Sequence, residues 1–189
     1  LTDVTGVQTC ALPIWPWTMT QTAKIPIKAI SVLLHFPDTD LWANLERLGA
    51  ALENTAPGGL RDGLMDIVSR IREKTLLDLQ EVYTEAFDLK PSATLNMTWH
   101  RHGDTDKRAD ALVRLQRVYA SAGFECTTGD LPDYLPLMLE FLADAPEDRF
   151  PADAAGHVWE AMGNVADLAA RVREAAPVYA DLLTLLDRV

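Results

Sequence analysis

The sequence predicts an all-α protein, a single compact multi-helix domain, and three observations carry that expectation. From Lys24 onward apolar residues return at steps of three and four almost everywhere. No alternating apolar and polar run of five or more residues marks a strand. The chain has 189 residues, 48% of them apolar and 24% charged, which suits one domain with its own core and no need of a disulfide or metal staple.

The elements follow in order. Pro26 opens a first helix through about Phe36, and Pro37 ends it. Asp38 or Thr39 caps a second, with Leu41, Leu45, Leu48 and Leu52 on one face. The Ala56 to Gly59 run is a turn. A third helix carries Leu60, Leu64, Ile67, Val68 and Ile71. A fourth, continuous with it after a kink or separate from it, carries Leu76, Leu79, Val82, Tyr83 and Phe87. Asp88 to Gly103 is the least periodic stretch. Asp104 or Thr105 then caps a helix with Leu112, Leu115, Val118 and Tyr119 inward, closed by Gly123 as a left-handed residue. Asp130 starts another, with Leu135, Met138, Leu139 and Leu142 at core spacing, and Ala145-Pro146 stops it. Two last helices run from about Ala152 to Arg173 and from about Ala176 to Arg188. No internal repeat is evident.

Residues 1–18 stand apart. They hold no Lys or Arg and no helical period, and a secretory signal would need a basic start. They read as a non-native or disordered leader, in the manner of adapter sequence translated in frame, with Met19 opening a helical domain over residues 19–189.

Charge excludes several function classes. Seventeen Lys and Arg face 28 Asp and Glu, a net charge of −11. A general nucleic-acid binder or a protein held on anionic lipid needs a basic face. No apolar run is long enough to span a bilayer. With two distant cysteines, Cys10 and Cys126, a reducing compartment is expected, and Cys126 reads as a buried or half-buried side chain.

Catalytic motifs are equally scarce. His100, His102 and Asp104 are the one candidate metal set, but a third His or a Cys is missing and Arg101 sits between the imidazoles. There is no G-x-S-x-G, Cys126 has no His in its own segment, and Gly58-Gly59 lacks the following G-K-[ST] of a phosphate loop. Binding remains. Residues 125–153 hold eight carboxylates against Arg149, which is either a solvated face or an attraction for a basic amphipathic peptide.

Four segments carry a resemblance. They are Leu33-Leu34-His35-Phe36-Pro37-Asp38 with Leu41-Trp42, Tyr83 to Asp88 as Y-x-x-x-F-D, His102-Gly103-Asp104-Thr105-Asp106-Lys107-Arg108, and Asp130-Leu131-Pro132-Asp133-Tyr134-Leu135-Pro136-Leu137 running into Leu139-Glu140-Phe141-Leu142. Together they resemble the nitrate reductase molybdenum cofactor assembly chaperones, the delta subunit or NarJ family, within the TorD/DmsD-type chaperones of molybdoenzymes. The resemblance covers roughly Ile27 to Leu186, and its L-P-D-x-L-P motif is the most specific part. Departures are Ala109 where the family has a Gly, Trp99-His100-Arg101-His102 before Gly103, and no long acidic tail.

The resemblance implies a cytoplasmic, all-helical protein of the TorD-like type that is not an enzyme and needs no cofactor of its own. It would bind the apo catalytic alpha subunit of respiratory nitrate reductase at an N-terminal segment, and promote molybdenum cofactor insertion before membrane attachment. Nucleic acid and stable membrane association are not expected, and the protein would be a monomer or weak dimer. A sister chlorate, selenate or perchlorate reductase is the alternative client, and a metal-dependent enzyme using His100, His102 and Asp104 the alternative of another class. The residues expected at the client are Tyr83, Phe87, Asp88, His102, Asp104, Arg108, Asp133, Tyr134 and Glu140. Within that set Asp133 can instead cap the helix that Leu135 and Leu139 anchor, and Tyr83 and Phe87 can be core or groove lining.

Overall fold

The computed structural model describes residues 8–9, 24–54, 58–126, 129–145 and 154–188. Apart from Gln8 and Thr9, the stretch read as a leader lies outside the described residues.

Helix α1 (Lys24–Leu34) is apolar on nearly every side, so it cannot lie on the surface. It packs along α7 (Leu135–Asp144), with α2 (Thr39–Glu53), α3 (Gly59–Arg72) and α10 (Pro177–Leu186) around its remaining faces. Asp38, not Thr39, caps α2, its Oδ1 accepting from Leu41 N at 2.7 Å. Helix α10, with Tyr179, Leu182 and Leu183 fully buried, closes the core against α3 and α9 (Val165–Val172). At Gly63 the Leu185 side chain of α10 packs so closely on α3 that a Cβ would lie 2.8 Å from its methyl.

Helices α3 and α4 (Leu76–Tyr83) are separate: Thr75 Oγ1 accepts from Asp78 N while the Asp78 carboxylate accepts from Thr75 N, a capping box that starts α4 afresh. Helix α4 ends in a π-turn over Thr84–Asp88, followed by a 3-10 turn at Pro91–Ala93. Helix α6 (Asp106–Ser121) begins after Thr105, not Asp104, and Gly123 takes the expected positive φ of 71°. Leu115 and Tyr119 are buried as expected, while Leu112 and Val118 are only half-buried. The extended structure among the described residues is slight: Gln8–Thr9 (β1) paired in parallel with Phe124–Glu125 (β2), and one bridge from Asn96 to Tyr134.

Four expectations are corrected. The aperiodic stretch before Gly103 contains a helix, α5 (Met97–His102), too short to show a period. The helix expected over 152–173 is two, α8 (Ala154–Met162) and α9, because Gly163 turns the chain at φ 64° and Asn164 caps a new start through Asp167 N. Helix α7 begins at Leu135 rather than Asp130, and Asp133 does not cap it. Cys126 is exposed, because it follows the short β2 pairing instead of entering the core. No helix among the described residues is long and apolar enough to cross a membrane.

Candidate binding cleft

Tyr83 and Phe87 lie four residues apart across the π-turn, which Leu89 N closes onto Thr84 O at 3.1 Å. Their rings meet edge-on at 5.0 Å, and both pack on Tyr179, at 5.6 and 5.5 Å. Phe36 stands against Tyr83 at 5.4 Å from the end of α1. Tyr83 and Phe87 are thus part of the core on one side. On the other, the edges of Tyr83 and Phe87 join Tyr134 to floor an open cleft of about 420 Å3. Phe36 and Leu131, 45% and 42% exposed, form apolar lips, and the carboxylates of Asp88 and Asp130 sit on the rim. Among the described residues no lysine or arginine lines it.

Two ionisation shifts describe the cleft's interior. Burial pushes the Tyr134 phenol up to about 12, so it is a neutral hydrogen-bonding group. Burial also holds His35, edge-on to Tyr134 at 5.8 Å, down at about 4; Asp130 opposes this and Lys28 reinforces it. His35 is therefore neutral near pH 7.

Of the nine residues expected at a binding surface, the structure brings Tyr83, Phe87, Asp88 and Tyr134 together here. The others go elsewhere. Asp133 is fully buried and is a tertiary cap for α5. Its backbone oxygen accepts from Met97 N at 2.9 Å, and its Oδ2 accepts from Thr98 N and Thr98 Oγ1, satisfying donors that the first turn of α5 leaves open. Arg108 reaches the same Oδ2 at 3.4 Å while its guanidinium lies 5.4 Å from the centre of the Trp99 ring. Glu140 faces inward from α7 and accepts from Lys28 Nζ at 2.8 Å, with Asp144 on the same ammonium. Burial still raises both carboxyls above their ordinary range, against the pull of Lys28.

These placements correct the acidic-face expectation. Asp133 and Glu140 are buried and Asp144 half-buried, because each has a cationic or N–H donor waiting in the core. Asp130 reaches the cleft, while the Glu125 side chain and Glu147, Asp148, Arg149 and Asp153 lie outside what is described. His102 lines a second cleft of about 340 Å3 between α5, α6 and α8, where Arg101, Lys107 and Arg114 are balanced in part by Asp110 and Glu160. Asp104 is exposed at the α5–α6 turn and lines neither cleft.

The metal alternative does not fit. His100 Nε2 engages Thr94 O at 2.8 Å and its Nδ1 engages Arg171 Nη1 at 3.1 Å, so neither nitrogen is open to a ligand. Among the described residues no group of three His, Cys, Asp or Glu can hold a metal ion.

A sequence model of the nitrate reductase delta subunit matches residues 38–184, the span that contains every wall of the cleft except Phe36. The chain belongs to the nitrate reductase delta subunit family. Over 164 residues it is 32% identical to a probable nitrate reductase molybdenum cofactor assembly chaperone NarJ of Bacillus subtilis, with 86% of each chain aligned. It is 30% identical over the same length to the assembly chaperone NarJ of Escherichia coli K12, covering 86% of this chain and 68% of that one. To the probable chaperone NarW of the same organism it is 33% identical over 123 residues, 65% of this chain and 51% of the relative. These relatives are named as assembly chaperones, and the chain is not an enzyme.

Some residues that line or support the cleft lie outside the set expected from sequence. Leu131 and Asn96 line the cleft, and only Leu131 lay in a motif singled out for the resemblance. Lys28 carried a usable signal: one lysine in an otherwise apolar helix, Lys24 apart, must find a buried partner. Thr98 carried none, since its donors matter only because Asp133 arrives from 35 residues away.

Proposed function

We propose that this protein is an assembly chaperone for a respiratory nitrate reductase, holding the apo catalytic alpha subunit by an N-terminal segment while the molybdenum cofactor is inserted. It acts in the cytoplasm, before the enzyme attaches to the membrane. The observation that carries this reading is the cleft: an aromatic floor of Tyr83, Phe87 and Tyr134, apolar lips at Phe36 and Leu131, and acidic Asp88 and Asp130 above them. Such a surface suits a segment that presents apolar side chains flanked by basic ones, since burial supplies affinity and the carboxylates reject acidic competitors. The delta-subunit membership supplies the client class.

The half-open shape also fits a helper that must let go. Only a few side chains can enter about 420 Å3, which limits the buried area and favours release when the client folds. Isothermal titration with a synthetic N-terminal peptide of the alpha subunit tests the proposal. A dissociation constant of about 1 μM or tighter is expected, near −8 kcal/mol. No heat at about 1 mM peptide, with protein shown to be folded, refutes it.

A further inference from the structure

We infer that the Tyr134 hydroxyl is a specificity-determining hydrogen-bond acceptor of the cleft, and that with Asp88 and Asp130 it selects a Lys or Arg side chain of the bound segment. This rests on the chaperone reading above and deepens it.

Leu34 is the last residue of α1 and fully buried, so its carbonyl belongs to the group that a helix end leaves without intrahelical donors. The Tyr83 hydroxyl supplies the donor, at 3.1 Å. A carbonyl oxygen cannot donate, so this bond takes the single proton of Tyr83. The Tyr83 and Tyr134 hydroxyls are also in contact, at 2.9 Å, and that bond needs a proton of its own. Only Tyr134 can provide it. The chain therefore has one direction: Tyr134 donates to Tyr83, and Tyr83 donates to Leu34 O. What Tyr134 turns to the cleft is lone pairs.

The position of this acceptor is fixed by the backbone. Leu135 N donates to Leu95 O at 2.8 Å, Met97 N donates to Asp133 O at 2.9 Å, and between them Tyr134 bridges Asn96. Asp88 and Asp130 bring carboxylate acceptors to the rim. The nearby imidazole of His35 is kept neutral by burial and brings no competing cation. An incoming carboxylate would meet lone pairs and like charge. An ammonium or guanidinium donates to all three groups.

The test uses three small probes on the full chain: phenylbutylammonium, phenylbutyrate and the neutral phenylbutanol, titrated by NMR against the wild type, Tyr134→Phe and Tyr83→Phe. The wild type should bind the ammonium roughly 10-fold more tightly than the carboxylate, with shifts centred on Tyr134. Tyr134→Phe should weaken the ammonium about 5- to 10-fold and the alcohol less than twofold, the size of one charge-assisted hydrogen bond at a half-open site. Tyr83→Phe leaves the Tyr134 hydroxyl in place and releases its proton to the cleft. It should weaken the ammonium and strengthen the carboxylate, a reversal that loss of packing alone does not produce. If Tyr83→Phe fails to fold, Tyr134→Phe decides the matter, because no buried carbonyl depends on its hydroxyl.

Equal ammonium affinity in the wild type and Tyr134→Phe overturns the inference, as does a wild type that prefers the carboxylate. If the ammonium pattern holds and the alpha-subunit peptide does not bind, the client reading fails and this one stands.

Discussion

Replacing Lys28 by Met isolates what the buried charge cluster contributes to the α1–α7 contact. Lys28 is 3% exposed, Glu140 4%, and they meet at 2.8 Å with Asp144 on the same ammonium. Methionine keeps the apolar stem and removes only the charge, so packing is nearly conserved. It leaves two carboxylates facing each other in a poorly solvated site, and breaking a buried pair in this way costs about 3–5 kcal/mol. The double variant Lys28→Met with Glu140→Leu removes the stranded carboxylate as well, and should recover at least about 2 kcal/mol of that loss. The pH dependence gives a second reading. Glu140 and Asp144 already have raised pKa values, so the folded state binds protons more readily than the unfolded one. For such a group stability is fullest below the ordinary carboxylate range and falls as pH rises through the raised value. Without Lys28 the carboxyls rise further, and the deficit of Lys28→Met should shrink on acidification from about pH 7 to about pH 5. Urea unfolding followed by far-UV circular dichroism measures all four quantities. A single-variant loss below about 1 kcal/mol, or a loss identical at both pH values, refutes the reasoning.

Other predictions follow from single contacts. Asp133→Ala strips the first turn of α5 of its acceptor and leaves Arg108 without its carboxylate, and should cost about 2–4 kcal/mol in the same unfolding assay, whereas a capping role on α7 alone would cost about 1. His35→Gln removes a half-buried imidazole whose pKa is lowered to about 4; that group's stabilising contribution is complete above its ordinary value of 6.5 and is lost as pH falls toward 4. The wild type should therefore lose about 1–2 kcal/mol more than the variant between roughly pH 7 and pH 5, and parallel pH curves would count against it. Gly163→Ala forces a side chain into φ 64° at the α8–α9 corner and should lower stability by about 1 kcal/mol, while the same change at Gly59, the first residue of α3 with no described residue within 4 Å of its Cβ position, should be neutral or stabilising. Cys126, being exposed, should react with a thiol reagent in the folded Cys10→Ser variant without unfolding, and labelling only in urea would count against its exposure.

The sequence by itself determined the class of fold, because helical periodicity is a local property that survives without neighbours. Leu41 to Leu52 and Leu64 to Ile71 repeat at a spacing that only a helix converts into one apolar face, and all of them are buried. Charge was legible as a total and not as a location. Eight carboxylates near α7 look like one surface when read along the chain, yet Asp133 and Glu140 turn inward since Thr98 and Lys28, distant in sequence, meet them there. Breaks without a strong local signal were also lost: the α8–α9 corner at Gly163 and the short α5 depend on one backbone angle and on a remote cap. The cleft was half readable. Tyr83, Phe87, Asp88 and Tyr134 lay in motifs, but only packing could join two segments about fifty residues apart and add Phe36 from the end of α1. The direction of the Tyr134 hydroxyl was decided entirely by tertiary structure, through a carbonyl that α1 leaves without a donor. A sequence fixes which groups can donate; which of them have already done so depends on who stands beside them.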